Sequence, residues 1–307
     1  MTKRQRLIMI FLLIMSYLLV AVLILYKDFF LFQNQPLSTT DLKLHCATSK
    51  SPLQIDAKLI PHEKVLRNMS MFALVQLYFR YIESPQVTCS SVKRKGNVQD
   101  GGWQLCEDLE YAPDKNGCLV YSYGINNDFS FDDDMAKYGC EVHSFDPTMD
   151  NKTDFLRGER VYFHPRGVGG IDKQANDLVG SKDLQMLQID TIATHRRMFK
   201  HGPKNRRLDV VKMDVEGYEF EALMTALHDG SLDDVRQLVF ETHLTLNGRP
   251  LTKESYLKFL ILLRKIHSKG FRIYTTLLNE ACGFFNEVDQ RDHFLCHEVH
   301  TVNVNIL

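Results

Sequence analysis

The segment CLVYSYGINNDFSFDDDMAKYGCEVHSFDP, residues 118–147, decides the fold of this chain. A short apolar run rich in aromatic and β-branched residues ends at Gly124, a stretch of helical character follows, and a second run ends at Asp146. This order predicts a strand, a helix and a second strand. Strands that alternate with helices form a mostly parallel sheet with helices on both of its faces, so the segment predicts an α/β fold.

The same alternation extends over most of the chain. Further strands are predicted at residues 161–164, 208–213, 238–240, 271–276 and 294–302. Apolar residues at helical spacing predict helices at residues 63–83, 220–227 and 252–268. Glycines and prolines within residues 97–118 indicate turns. We therefore expect a Rossmann-like domain over residues 118–307, preceded by a helical and turn-rich extension over residues 61–117.

Residues 7–26, LIMIFLLIMSYLLVAVLILY, form an uninterrupted apolar run. A helix needs about 20 apolar residues to cross a bilayer. The basic residues within positions 1–6 favour a cytosolic N-terminus, because positive charge is retained on the cytosolic side. The run predicts a single-pass type II signal-anchor, with a stem over residues 27–60 and the folded domain in the lumen of the Golgi or secretory pathway. The alternative is a cleaved signal peptide and a secreted protein.

The cysteines and two glycosylation sequons agree with this compartment. None of the seven cysteines has a C-x-x-C partner, which favours disulfide bonds over a zinc site. Because seven is an odd number, at least one thiol has no disulfide partner within the chain. The sequons lie at Asn68 and Asn151. A net charge of −1 and the lack of an extended basic cluster argue against nucleic acid as a partner.

The residues that follow the first two strands are candidates for a cofactor site, because ligands bind outside the carboxyl ends of parallel strands. Tyr123, Gly124 and Asp128 belong to the turn after the first strand, and Asp146 ends the second strand. An acidic side chain at that spacing suits the hydroxyls of a ribose. One glycine in the turn makes no phosphate cradle, which favours a nucleoside such as S-adenosylmethionine (SAM). The alternative role for Asp146 is an ordinary strand-end turn.

Two later strand ends carry candidates for catalysis. Asp214 and Glu216 follow the strand LDVVKM, where carboxylates can orient a sulfonium, act as a general base or hold a divalent metal. His243 ends the next strand and is a candidate base, with a purely structural role as the alternative. Glu219 and Glu221 are interpreted as favouring a helix N-terminus. We assign no residue to a metal.

Two segments carry a resemblance to known proteins. The run VVKMDVEGYEFEAL, residues 210–223, resembles a signature of FkbM-type SAM-dependent methyltransferases, and residues 101–147 resemble the methyltransferase-like protein 24 family. The resemblance implies a seven-stranded SAM methyltransferase fold, with Gly124 in the cofactor loop and Asp146 at the ribose. It also implies that Asp214, Glu216 and residues 241–243 face the substrate. The glycine-poor first loop departs from the family pattern.

The leading hypothesis is SAM-dependent O-methyl transfer to a hydroxyl of a glycan or secreted protein. Two alternatives stay open on the sequence. A luminal metal-dependent glycosyltransferase could use the Asp214 and Glu216 pair to hold a metal and a sugar nucleotide. A catalytically inactive Rossmann-like domain could keep the fold and bind a partner.

Overall fold

The computed structural model describes residues 60–98, 100–150, 153–171, 173–174, 188–202, 206–245 and 250–306. The predicted anchor at residues 7–26, the stem before residue 60, Cys46 and Asn151 lie outside these ranges. Within them, no helix combines the length and apolar character that a bilayer crossing requires. The described residues all belong to one compact unit, residues 51–307.

The central sheet has eight strands. Across the sheet they are β12 (Phe271–Leu278), β15 (Cys296–Asn303), β11 (Gln237–His243), β10 (Val210–Met213), β3 (Leu119–Tyr123), β4 (Glu141–Phe145), β6 (Val161–His164) and β5 (Phe155–Arg157). The five strands from β11 to β6 are parallel. Strands β12 and β15 at one edge and β5 at the other run antiparallel to their neighbours.

This architecture confirms the predicted α/β fold, with one difference in strand number. The resemblance implied seven strands, and residues 155–157 add an eighth at the edge beside β6. A second difference concerns residues 97–118, which were predicted as turns. Within them β2 (Trp103–Cys106) pairs with β1 (Val92–Lys95) in a hairpin. The remaining short strands are β7 (Arg166–Val168), β8 (Lys173–Gln174), β9 (Gln188–Asp190), β13 (Gly283–Asn286) and β14 (Arg291–Phe294).

Helices cover both faces of the sheet. They are α1 (Glu63–Asn68), α2 (Met71–Ile82), α3 (Ser130–Tyr138), α4 (Ile192–Met198), α5 (Glu219–Asp229) and α6 (Lys253–Ser268). Alternate residues of β3 point to opposite faces, so Tyr121 packs in the core with α2, α5 and α6, and Val120 packs with α3 and β2. The extension before residue 118 thus shares its apolar core with the sheet.

Disulfides are present, as predicted. The pairs are Cys89–Cys106, Cys118–Cys140 and Cys282–Cys296. The second pair joins the residues that immediately precede β3 and β4, so it holds the starts of these two strands in register. These bonds use every cysteine of the described ranges, and the remaining Cys46 lies outside them.

His300 provides a test of the packing between the extension and the sheet. It lies on β15, is fully buried, and its ring centroid is 5.7 Å from that of Trp103. Burial, together with the positive charge of Arg94, lowers its pKa to about 3. Glu298 lies 3.9 Å from Nε2. The folded protein therefore keeps this imidazole neutral where an unfolded chain would protonate it.

We expect His300→Phe to make the protein less sensitive to acid. A folded pKa below the unfolded value of 6.5 adds stability above pH 6.5 that is lost as pH falls toward 3. Between pH 7 and pH 5 the wild type should lose about 2 kcal/mol more than the variant, measured by urea unfolding. The control is His228→Phe at an exposed position, which should keep the wild-type slope. Equal slopes for all three proteins would contradict the prediction.

Candidate functional site

The carboxyl ends of β3, β4, β10 and β11 open into a cavity of about 480 Å³. This volume lies in the range of small-molecule sites. Five of the predicted site residues line the cavity: Gly124, Asp128, Asp146, Asp214 and Glu216. Tyr123 and His243 are not among the lining residues, although both end a strand that leads into it.

Gly124 occupies a position that accepts only glycine. Its φ is +72°, and an added Cβ would lie 1.6 Å from the carbonyl oxygen of Asp214. The ends of β3 and β10 are therefore in backbone contact. Asn126 and Asn127 follow with φ values of 41° and 64°. Asparagine adopts this left-handed region more readily than most residues, so these two turn the loop where the family pattern would have further glycines.

Asp146 has a structural role and also keeps one hydrogen-bond acceptor position unused. Its carboxylate accepts bonds from the backbone N–H groups of Asn126 (2.9 Å) and Thr148 (2.8 Å) and from the Thr148 hydroxyl (2.6 Å). A carboxylate has about four acceptor positions, and these bonds use three of them. The predicted strand-end turn is therefore present, and the carboxylate keeps an acceptor position at the cavity wall.

Asp128 and Tyr123 support the loop from within the protein. Asp128 accepts from the N–H of Ser130 at the start of α3 (2.8 Å) and from the side chain of Asn97 (2.6 Å). The ring of Tyr123 is buried, and its hydroxyl lies 3.2 Å from Nδ1 of His195. Only the backbone of Tyr123 reaches the edge of the site, where its carbonyl accepts from Lys212 (3.0 Å).

Lys212 is a site residue that the sequence analysis missed. Its Nζ donates to the carbonyls of Tyr123 and Gly124 and lies 5.5 Å from the ring centroid of Trp103. Lys212 is buried in the middle of β10, and among the described lining residues it is the one cation. The available signal was a lysine inside the apolar run LDVVKM. A buried lysine needs a partner, which carbonyls at a strand end supply.

The wall of the cavity is strongly acidic. The carboxyl groups that line it belong to Asp100, Asp128, Asp132, Asp146, Asp214, Glu216, Glu241 and Glu298. Burial, with the negative charge of Asp214, raises the pKa of Glu241 well above its ordinary value and that of Glu298 to about 7. Eight carboxyl groups line the site together with one ammonium group, so acidic groups are in excess. Such a site favours a cationic ligand.

His243 is held against a group of carboxylates. Its Nδ1 lies 3.1 Å from Oε1 of Glu219, and its Nε2 lies 3.5 Å from Glu241 and 3.6 Å from Glu216. Burial alone would lower the pKa of His243, but the hydrogen bond and charge of Glu219, with Glu241 and Asp214, raise it to about 9. In this arrangement the imidazole is protonated at neutral pH.

Glu219 does more than favour the helix N-terminus. It is fully buried at the first position of α5, and Oε1 accepts from the N–H of Val215 at 2.8 Å. The same oxygen contacts His243. Glu219 therefore links the loop after β10 to the end of β11.

Glu216 has a left-handed backbone, with φ of 53°, and its side chain is 88% exposed. Left-handed backbone costs a residue other than glycine about 1–2 kcal/mol. Strain of this kind is commonly found at functional sites.

We expect Glu216→Gly to raise the free energy of unfolding by about 1 kcal/mol, because glycine relieves the strain and the acidic repulsion falls. The control is Glu221→Gly, an exposed position inside α5, which should lose about 1 kcal/mol through poor helix propensity. Thermal unfolding of both variants measures the difference. A loss of stability in Glu216→Gly equal to that of the control would show that residue 216 is unstrained.

Comparison with known proteins agrees with the resemblance found in the sequence. A family described as "Methyltransferase domain" matches residues 63–293. The chain is 26% identical to "Probable methyltransferase-like protein 24" of Homo sapiens over 210 residues, which are 64% of this chain and 55% of the relative. The Rattus norvegicus protein of the same name is 26% identical over 212 residues, 65% of this chain and 56% of the relative. The chain thus spans little more than half the length of these curated relatives.

Proposed function

Because the chain belongs to the methyltransferase domain family, we propose that it transfers a methyl group from SAM to an acceptor hydroxyl. The observation that carries the proposal is the acidic cavity at the strand ends, with Gly124 at its base and Asp146 on its wall. The sheet is of the Rossmann-like SAM methyltransferase type with β5 added at one edge. The strand order supports this. β4 and β10 lie on opposite sides of β3, so the order in which the chain adds strands reverses at β3.

The residues present fit SAM in chemistry and size. Asp146 retains an acceptor position for a ribose hydroxyl. The sulfonium and amino groups of SAM are positive, which suits the acidic wall. One oxygen of Asp214 is buried without a hydrogen bond among the described residues, so it is available to a cation. A cavity of about 480 Å³ can hold a nucleoside of this size.

Bound SAM supplies an electrophilic methyl group on a positively charged sulfur. Methyl transfer from bound SAM to the acceptor oxygen would leave a neutral thioether and release the acceptor proton, which a base at the site would accept. We assign the base to the Asp214–Glu241 pair. Burial, with the charge of Asp214, raises the pKa of Glu241, so its carboxylate is a stronger base than an exposed one in those molecules where it is ionised. The protonated His243 lies 3.5 Å from Glu241 and, together with Glu216, holds this pair in place.

The acceptor that we propose is a glycan or a secreted protein in the Golgi or secretory lumen. Three disulfides support an oxidising compartment. The apolar run at residues 7–26 supports attachment to the membrane as a type II protein. Secretion after cleavage of that run is the alternative.

The acidic wall argues against the glycosyltransferase alternative. A sugar nucleotide carries a diphosphate, and the described lining residues offer it one ammonium group among eight carboxyl groups. Unless a metal is bound, repulsion would therefore oppose binding, so this alternative requires an ion at Asp214 and Glu216. A partner-binding domain without activity remains the second outcome of the test below.

We expect the full chain, purified in detergent, to bind SAM in the micromolar range by calorimetry. Asp146→Asn should weaken binding at least about tenfold, because it replaces a charged acceptor of ribose hydroxyls with an amide. The control is Asp150→Asn, an exposed position in the same loop, which should bind as the wild type does. Folded wild-type protein that does not bind SAM would overturn the proposed function.

Glycosylation at Asn68 tests the proposed compartment. Asn68 is exposed at the end of α1, so an oligosaccharide has room there. Protein expressed in animal cells should lose mass on treatment with peptide-N-glycosidase, and Asn68→Gln should lose part of that shift. The control Asn305→Gln alters an exposed asparagine outside any sequon and should change nothing. An unglycosylated wild type would contradict luminal placement.

A further inference from the structure

We propose that Asp214, Glu216, Glu241 and His243 bind a divalent cation of the Mn²⁺ class at the end of the cavity formed by β10 and β11. The existence of this site rests on the four residues alone. Its role, to hold the acceptor, rests on the proposed methyl transfer.

The candidate ligand atoms surround a small volume. A carboxylate oxygen of Asp214, one of Glu216 and a ring nitrogen of His243 all lie within 4.8 Å of one another. Nε2 of His243 is 3.6 Å from Glu216 and 3.5 Å from Glu241. Ligand atoms that share an ion at about 2.1 Å lie about 3–3.5 Å apart, so closure around a cation needs only small movements.

The orientation of His243 is a separate observation that points to a ligand. Only 9% of its side chain is exposed, and Nε2 makes no hydrogen bond within the described part of the chain. Nδ1 is fixed by Glu219, which is itself fully buried. A carboxylate behind the imidazole is the arrangement that orients metal-binding histidines and leaves the opposite nitrogen directed at the ion.

The balance of charge also favours a cation. Four carboxyl groups, those of Asp214, Glu216, Glu219 and Glu241, surround a single imidazole, and a cation would displace the proton from Nε2 of His243. Lys212 carries a further positive charge, but its ammonium is bound to the carbonyls of Tyr123 and Gly124 rather than to these carboxylates. An ion at this point would satisfy the buried Asp214 oxygen that lacks a hydrogen bond.

The donor set selects the kind of metal. Carboxylate oxygens suit Mg²⁺, Ca²⁺ and Mn²⁺, and of these three ions Mn²⁺ accepts an imidazole nitrogen most readily. The nearby Cys296 is joined to Cys282 in a disulfide, so it does not offer the thiolate that would favour zinc.

The site also defines the acceptor more closely. A six-coordinate ion with four protein ligands keeps about two positions open. Two neighbouring hydroxyls of a sugar would fill them, and coordination would lower the pKa of the hydroxyl that receives the methyl group. Its proton would pass to Asp214 or Glu241. We therefore expect a carbohydrate with vicinal hydroxyls as the acceptor.

In the test, the full chain in detergent is titrated with Mn²⁺ alone, and electron paramagnetic resonance measures the amount of bound ion. Wild type should bind one ion, and His243→Gln should weaken binding by about 10–100-fold. Glu216→Gln should weaken it as well, and since that side chain is 88% exposed, the variant will fold. The control Glu221→Gln removes an exposed carboxylate of α5, the helix that follows Glu216, and should bind normally. Absence of wild-type binding, or equal binding by all variants, would overturn the site.

SAM binding by the same preparations separates this inference from the proposed function. SAM binding without Mn²⁺ binding would overturn the metal site and leave the function intact. Mn²⁺ binding without SAM binding would support the site and overturn the function. Bound Mn²⁺ should broaden the proton resonances of a monosaccharide with vicinal hydroxyls more than those of its deoxy analogue, and equal broadening would overturn the acceptor assignment.

Discussion

The backbone contact between Gly124 and the carbonyl of Asp214 is the constraint on which the site depends. It lies where the chain leaves β3 for β4 on one side and reaches β10 on the other, which is where an open sheet forms its crevice. A side chain at position 124 would separate the two strand ends. Lys212 bonds to the carbonyls of Tyr123 and Gly124 and so closes the same junction from β10.

Much of the site could be predicted because its residues follow their own strands. Gly124, Asp146, Asp214 and Glu216 each come directly after an apolar run, and parallel strands bring their carboxyl ends to one edge. Local periodicity is enough to locate such residues. It also gave the α/β class, since the alternation of strands and helices is a local pattern.

Two of the residues that the sequence missed, Glu298 and Trp103, enter the site through long-range pairing. Glu298 faces Glu241 because β15 pairs antiparallel with β11, and no local pattern specifies that register. Trp103 reaches the cavity from the β1–β2 hairpin in a segment predicted as turns. The edge strand β5 is equally invisible, because three residues carry too little periodicity to identify a strand.

The acidity of the cavity also constrains how the proposed reaction can be accelerated. Carboxylates attract the sulfonium in the ground state, and this attraction weakens as the positive charge disperses in the transition state. Such attraction favours binding and opposes the chemical step. Acceleration would then have to come from alignment of the acceptor and from removal of its proton, the roles proposed for Asp214, Glu216, Glu241 and His243. Because the thioether product is less positive than SAM, the same wall would hold it less tightly, so the charge proposed to capture the cofactor would also promote product release.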